Sequence, residues 1–322
     1  MPDTHPAPDL PLDPGAALQF VVNAASGSSD AQAKGAVIEA ALATAQRTGS
    51  LHFCDGGELA RKATEAAAQA RAERSAVVAV GGDGTVNTVA QAAHAAGAVM
   101  GVVPQGTFNY FARTHDIPND PAEAAAALFR ATPTPVQVGA INEQLFLVNA
   151  SLGLYPDLLE DREAYKARFG RSRLVALGAA AVTLLRSQRR LRLRIELGPA
   201  VRELRSLTLF VGNNRLQLEQ LGMQADSAAA PTAGTGCITA VMLKPIGTLA
   251  MLRLMLRGAM GTLGEAPSVE HFEFNHMRVQ PTLTRGRRGI KVAYDGEVTR
   301  MRAPLEFKVH PQPLWLLKPD RR

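Results

Sequence analysis

Cysteine is nearly absent from this 322-residue chain: Cys54 and Cys237 are the only two, and they lie far apart. That argues against a disulfide framework and a cysteine zinc centre, and free thiols in a reducing compartment are the expectation. Aromatic residues make up only 5% of the chain and no recognised nucleic-acid motif accompanies them, so no nucleic-acid partner is expected. Long hydrophobic runs are missing too. The longest, LVALGAAAVTLL at residues 174–185, is too short to span a bilayer. The opening MPDTHPAPDLPLDPG has neither a basic n-region nor an apolar h-region. It reads as a flexible tail rather than a signal peptide, and a cytoplasmic location is expected.

What is present is a folded composition, 46% hydrophobic and 20% charged, with a net charge of +6. That charge suits nucleic acid, anionic membrane surfaces or phosphorylated ligands and does not choose between them. The first part of the chain alternates short apolar runs with Ala-rich helical stretches. Strands are expected at LQFVV (18–22), LHFCD (51–55), AVVAV (76–80) and VMGVV (99–103), with helices around 31–47, 58–74 and 86–96. Strand–helix repetition with buried strands means a parallel sheet covered by helices. Beyond ATPTPVQVG (131–139) the rhythm changes to period two, as in LRLRIELG (191–198), followed by LTLFVGN, CITAVML, VEHFEFN, MRVQPTL and IKVAYDG. These imply a largely antiparallel, sandwich-like domain, interrupted by helices around 165–186 and 248–260. The expected division is a flexible tail at 1–16, an α/β nucleotide-binding domain at 17–133, a β-rich domain at 134–312 and a C-terminal tail at 313–322.

The stretch AVVAVGGDGTVNTVA (76–90) runs an apolar strand into paired glycines and then a helical pattern. Glycines let a backbone approach phosphate oxygens, and a following helix N-terminus favours an anion. Neither the dinucleotide fingerprint nor the P-loop fits, because Asn87 stands where the former needs Gly and no Gly-Lys-Ser/Thr follows. Asp83, an acid among phosphate-binding amides, costs affinity unless it holds Mg²⁺ or accepts a hydroxyl proton; the plainer alternative is a local turn hydrogen bond. Two more loops fall at equivalent strand ends. VVNAASGSSD carries Asn23, Ser26 and Gly27, and VVPQGTFNYFAR carries Gly106, Thr107 and Asn109. Three such loops on one sheet edge point to a nucleotide cleft.

Together the loops resemble the diacylglycerol kinase catalytic-domain family, which includes bacterial lipid kinases and sphingosine kinases. That family shares its glycine loop with NAD kinases and, more distantly, phosphofructokinases. The resemblance implies an NAD kinase/phosphofructokinase-like α/β domain carrying ATP and Mg²⁺, and a β-rich sandwich-like C-terminal domain that helps form the lipid pocket. Asn23, Ser26, Gly27, Gly81, Gly82, Gly84, Thr85, Gly106, Thr107 and Asn109 would then hold the nucleotide. Arg173, in YKARFGRSR (165–173), would assist on its phosphates. VAYDGE (292–297), on its own a hairpin turn, becomes the family's second acidic motif. Asp83, Asp295 and Glu297 are then the catalytic candidates, with the proton acceptor either Asp83 or Asp295, and no residue set is assigned to the metal. Three departures from the family pattern stand out: Ala24 for Pro, Cys54 for Thr, and Tyr110 where many bacterial diacylglycerol kinases have Asp.

A lipid kinase must reach a membrane-embedded hydroxyl. LVALGAAAVTLLRSQRRLRLR (174–194) and TLAMLRLMLRGAMGTL (248–263) place arginines beside apolar helical stretches. Peripheral contact at the inner membrane surface is therefore expected, and a homodimer is compatible with the sequence. The rival readings are an NAD kinase-like phosphotransferase on a soluble substrate and a non-catalytic nucleotide- or lipid-binding module.

Overall fold

The computed structural model describes residues 12–24, 31–154, 156, 191–213, 236–247, 250, 266–282 and 289–319. The chain divides into two compact units, the described residues of 139–309 forming the second and the other described residues the first.

In the first unit, β1 (Leu18–Asn23), β3 (Ala76–Gly81) and β4 (Val99–Pro104) read as nearly unbroken apolar runs. Strands of that kind are buried on both faces. They are joined by β2 (Gly49–Cys54), β5 (Thr132–Val136) and β18 (Leu314–Lys318) in the order β2-β1-β3-β4-β18-β5. All pairs are parallel except β18 with β5. α2 (Leu59–Ala72) packs against α3 (Asp83–Ala96), and α1 (Ala31–Thr44) against α5 (Pro121–Leu128). On α2 the buried residues Leu59, Ala63, Ala66, Ala67 and Ala70 recur with helical period, and their small side chains let the helix lie close on the sheet.

Two features correct the sequence expectation. Residues 314–318 are not part of a tail: β18 inserts between β4 and β5, burying Leu314, Leu316 and Leu317. The proline-bearing TPTPV, expected as a domain boundary, is edge strand β5, where a strand tolerates residues that donate no N–H. Helix α5, also not anticipated, starts at Pro121 behind Asp120, whose carboxylate accepts from the N–H groups of Ala122 and Glu123.

The second unit holds two six-stranded sheets in which every pairing is antiparallel. One comprises β10 (Ala200–Ser206), β9 (Leu191–Leu197), β14 (His276–Pro281), β17 (Leu305–Val309), β6 (Gly139–Ile141) and β7 (Gln144–Phe146), in that order. The other runs β13 (Val269–Phe274), β12 (Ile238–Leu243), β11 (Thr208–Gly212), β8 (Asn149–Gly153), β15 (Ile290–Tyr294) and β16 (Glu297–Met301). Alternate residues from both sheets, among them Leu193, Ile195, Met277 and Phe307 from one and Leu152, Leu209, Ala240 and Val292 from the other, share one core. The period-two pattern of the sequence is this inward-facing set. The helices expected around 165–186 and 248–260 lie outside the described residues.

Candidate active site

The sheet order β2-β1-β3-β4 places a topological switch point between β1 and β3. Strands adjacent there lead off in opposite directions, which opens a crevice at their carboxyl ends. Asn23 ends β1 and Gly81 ends β3. The chain turns at Gly82, the N-cap of α3, so that Asp83 is already the first helical residue. The helix expected from about residue 86 thus begins three residues earlier, and the glycine loop is largely the free first turn of α3.

Side chains tie three loops together here. The Asn23 amide Nδ2 donates to Thr85 Oγ1 at 2.9 Å, joining the end of β1 to the first turn of α3. The Gln105 N–H donates to the Gly81 carbonyl at 2.8 Å, joining the ends of β3 and β4. Asn109, held at φ 49° and ψ 44°, caps short helix α4 (Tyr110–Thr114), and its Oδ1 accepts from the Gly106 N–H at 2.9 Å. Gly82 and Gly106 pack backbone to backbone: a Cβ on Gly106 would stand 2.8 Å from the Gly82 Cα. Glycine at 106 is therefore a requirement of space. Gly106→Ala is expected to push the two loops apart and weaken nucleotide binding about tenfold or more, from the roughly 1–3 kcal/mol typical of overpacking. Titration with an ATP analogue would measure it, and an unchanged affinity would detach these loops from the nucleotide.

Asp83 is half-buried, and its Oδ1 accepts from the Phe111 N–H at 3.5 Å. Burial raises its pKa above the ordinary carboxylate value, opposed by the backbone N–H groups of residues 109–111 and the charge of Arg113. The acid thus faces the start of α4, and a carboxylate pushed toward protonation is the better proton acceptor near neutral pH. Beside it, the Tyr110 ring stacks on the exposed Phe108 ring, with centroids 5.4 Å apart and planes at 8°. Gly84 lies in the first turn of α3, and Thr107 is exposed on the loop before α4. Ser26, Gly27 and Arg173, with Lys166 and Arg168, lie outside the described residues.

Lys34 is a participant that the sequence reading overlooked. It is 1% exposed on α1, and its ammonium donates to the carbonyls of Asn23 at 2.9 Å and Ala24 at 3.1 Å. It fixes the chain just where β1 ends, backing the Asn23 side chain that holds Thr85. The available signal was helical phase, since Lys34, Ile38 and Leu42 follow at four-residue spacing and are buried together.

The second acidic motif lies in the other unit. Asp295 and Gly296 form the two-residue loop of the β15–β16 hairpin, with φ of 44° and 91° and Tyr294 opposite Glu297. The Asp295 carboxylate is buried and accepts three backbone N–H groups, from Leu147 at 2.7 Å and from Val148 and Asn149 at 2.9 Å each. Its own N–H donates to the Asn149 carbonyl at 2.9 Å. This is an anchor for the β7–β8 turn: donors arranged around a carboxylate favour its charged form and occupy its lone pairs. Glu297 is exposed at the hairpin's end, and the Tyr294 hydroxyl across from it has its pKa raised by burial and then by the charges of Glu297 and Asp295.

A largely parallel sheet with Gly82, Gly106 and the half-buried Asp83 at the strand ends around its switch point is an arrangement suited to a phosphate ligand. Residues 17–141 match the diacylglycerol kinase catalytic domain. The chain is 48% identical over 79 residues to a probable lipid kinase YegS-like protein of Pseudomonas aeruginosa (strain UCBPP-PA14), covering 24% of this chain and 26% of that one. It is 41% identical over 101 residues to a probable lipid kinase YegS-like protein of Pseudomonas putida, covering 31% and 33%. The chain thus aligns with about a quarter to a third of the length of these relatives. The fold is similar to that in the crystal structure of a diacylglycerol kinase from Bacillus anthracis, with TM-score 0.64 at 18% identity over 94% of this chain and 96% of that one.

Proposed function

We propose that this chain is an ATP-dependent lipid kinase that transfers the γ-phosphate of ATP to a lipid hydroxyl. The observation that carries this reading is the convergence of Asn23, Gly82, Asp83, Thr85 and Gly106 at the switch point of a sheet within the residues that match the diacylglycerol kinase catalytic domain. The glycine backbone, free of Cβ atoms, lets triphosphate oxygens approach the free N–H groups of α3. Thr85, held by Asn23, presents its hydroxyl to the same place. Asp83 takes the proton of the attacking hydroxyl as the new P–O bond forms, and ADP leaves with the electrons of the broken bond. Asp295 is in this reading a positioning residue rather than the proton acceptor.

Asp83 is the only carboxylate among the described residues of the three loops, and the described residues hold no cluster of three His, Cys, Asp or Glu. That donor set fits a Mg²⁺ ion carried by the phosphates and water, which leaves Asp83 to take the proton. When bound, the ion would neutralise charge on the phosphates. Tyr110 brings no second carboxylate.

Among the described residues no helix is long and apolar enough to cross a membrane; a lipid acceptor implies peripheral contact with the lipid surface. The test of acceptor class is transfer of label from γ-labelled ATP into a total lipid extract in micelles, with NAD as a parallel acceptor. Label in lipid is the expected result. Label in NAD alone would move the protein to soluble-substrate phosphorylation, and label in neither would leave a binding module.

A further inference from the structure

The geometry points to the outward face of the β10–β9–β14 sheet as a surface that docks on an anionic lipid bilayer. The choice of partner rests on the lipid-kinase reading above; the choice of surface does not. Along β9 and β10 the inward residues Leu193, Ile195 and Leu204 pack in or against the core, so the alternate residues face out. Arg192 stands directly opposite Arg205 in the β9–β10 register, and both are exposed. Like charges directly opposed, with Cβ atoms about 5 Å apart, cost stability.

Glu203, two residues from Arg205 on the same face, forms no ion pair with either arginine among the described residues. In the next row Glu203 faces Arg194, and Arg194 pairs instead with Glu196 at 3.3 Å, which also lies 4.0 Å from Arg278. Among the described residues neither Arg192 nor Arg205 has a carboxylate partner. Protection of an exposed sheet edge explains charges on edge strand β10. It does not explain Arg192, which lies on inner strand β9, nor two like charges face to face. An anion bound between the two guanidinium groups relieves that repulsion.

The form of the surface selects the anion's source. An open antiparallel face spreads its side chains in a shallow array, matched to a layer of phosphate headgroups rather than to one enclosed ligand. The exposed residues of these three strands include no Phe, Tyr or Trp for stacking bases, which disfavours single-stranded nucleic acid. Val201, 52% exposed in the same outward row of β10, adds an apolar group able to enter the interface.

The test is sedimentation with phosphatidylcholine vesicles, with and without phosphatidylglycerol, for the wild type, Arg192→Gln/Arg205→Gln and Arg205→Glu. The wild type is expected to bind only the anionic vesicles, and the double variant to bind about 30-fold more weakly, at about 1 kcal/mol per arginine. Arg205→Glu places opposite charges across the strands, so it is expected to unfold at the same or a higher temperature while losing vesicle binding. That separates docking from folding. Equal binding by all three proteins, no binding by the wild type, or binding by the wild type to nucleic acid but not vesicles would overturn the inference. Arginine-dependent vesicle binding in a protein that phosphorylates no lipid would remove the catalytic reading and leave this surface standing.

Discussion

Asp83→Asn is expected to lower turnover by about a thousandfold while leaving nucleotide affinity within about twofold, the signature of a group that acts in proton transfer rather than binding. Asn is nearly isosteric, and its amide oxygen can still accept from the Phe111 N–H, so the contact between α3 and α4 survives. What is lost is the basic lone pair. The pH profile gives an independent readout. Burial raises the Asp83 pKa, so the wild-type rate falls as pH drops through that raised value and Asp83 becomes protonated. The acid limb should therefore lie above the ordinary carboxylate range. In Asp83→Asn the residual rate should show no such limb. A variant that loses ATP affinity in proportion to rate would make Asp83 a binding residue.

Asp295→Ala is expected to act through stability. The change strands the N–H groups of Leu147, Val148 and Asn149 in a buried turn and removes a residue suited to positive φ. Buried donors left unpaired, with loss of their charge-assisted bonds, cost on the order of 3–5 kcal/mol. Denaturant unfolding should show that loss. Asp295→Asn, which keeps the backbone conformation accessible and one acceptor oxygen, should lie between the two. A catalytic base would behave oppositely, losing activity with stability intact. That pattern would restore Asp295 as the proton acceptor.

The sequence carried the first unit's frame because each central strand is buried on both sides and must be apolar throughout, as AVVAV and VMGVV are. It carried the glycine loop because close backbone packing leaves a compositional mark. It did not show that β18 completes that sheet, since LWLLK lies far along the chain and no local pattern names its neighbours β4 and β5. In the second unit the alternation of LRLRIEL betrayed its faces, whereas the pairing of β8 with both β11 and β15 is a long-range choice. Asp295 shows the same limit. Its Asp-Gly turn is local and readable, but the amides that hold its carboxylate come from residues 146–148 positions earlier in the chain. The sequence does not single out Lys34, because burial of its ammonium depends on two carbonyls at the end of a different element.

The central claim is that the Asp83 loop delivers phosphate to a lipid hydroxyl. Its most direct test is mass analysis of a total lipid extract after incubation with ATP, Mg²⁺ and either the wild type or Asp83→Asn. The account predicts a new lipid phosphomonoester with the wild type and none with the variant, although both bind an ATP analogue. No phosphorylated lipid from either protein, or equal amounts from both, would contradict it.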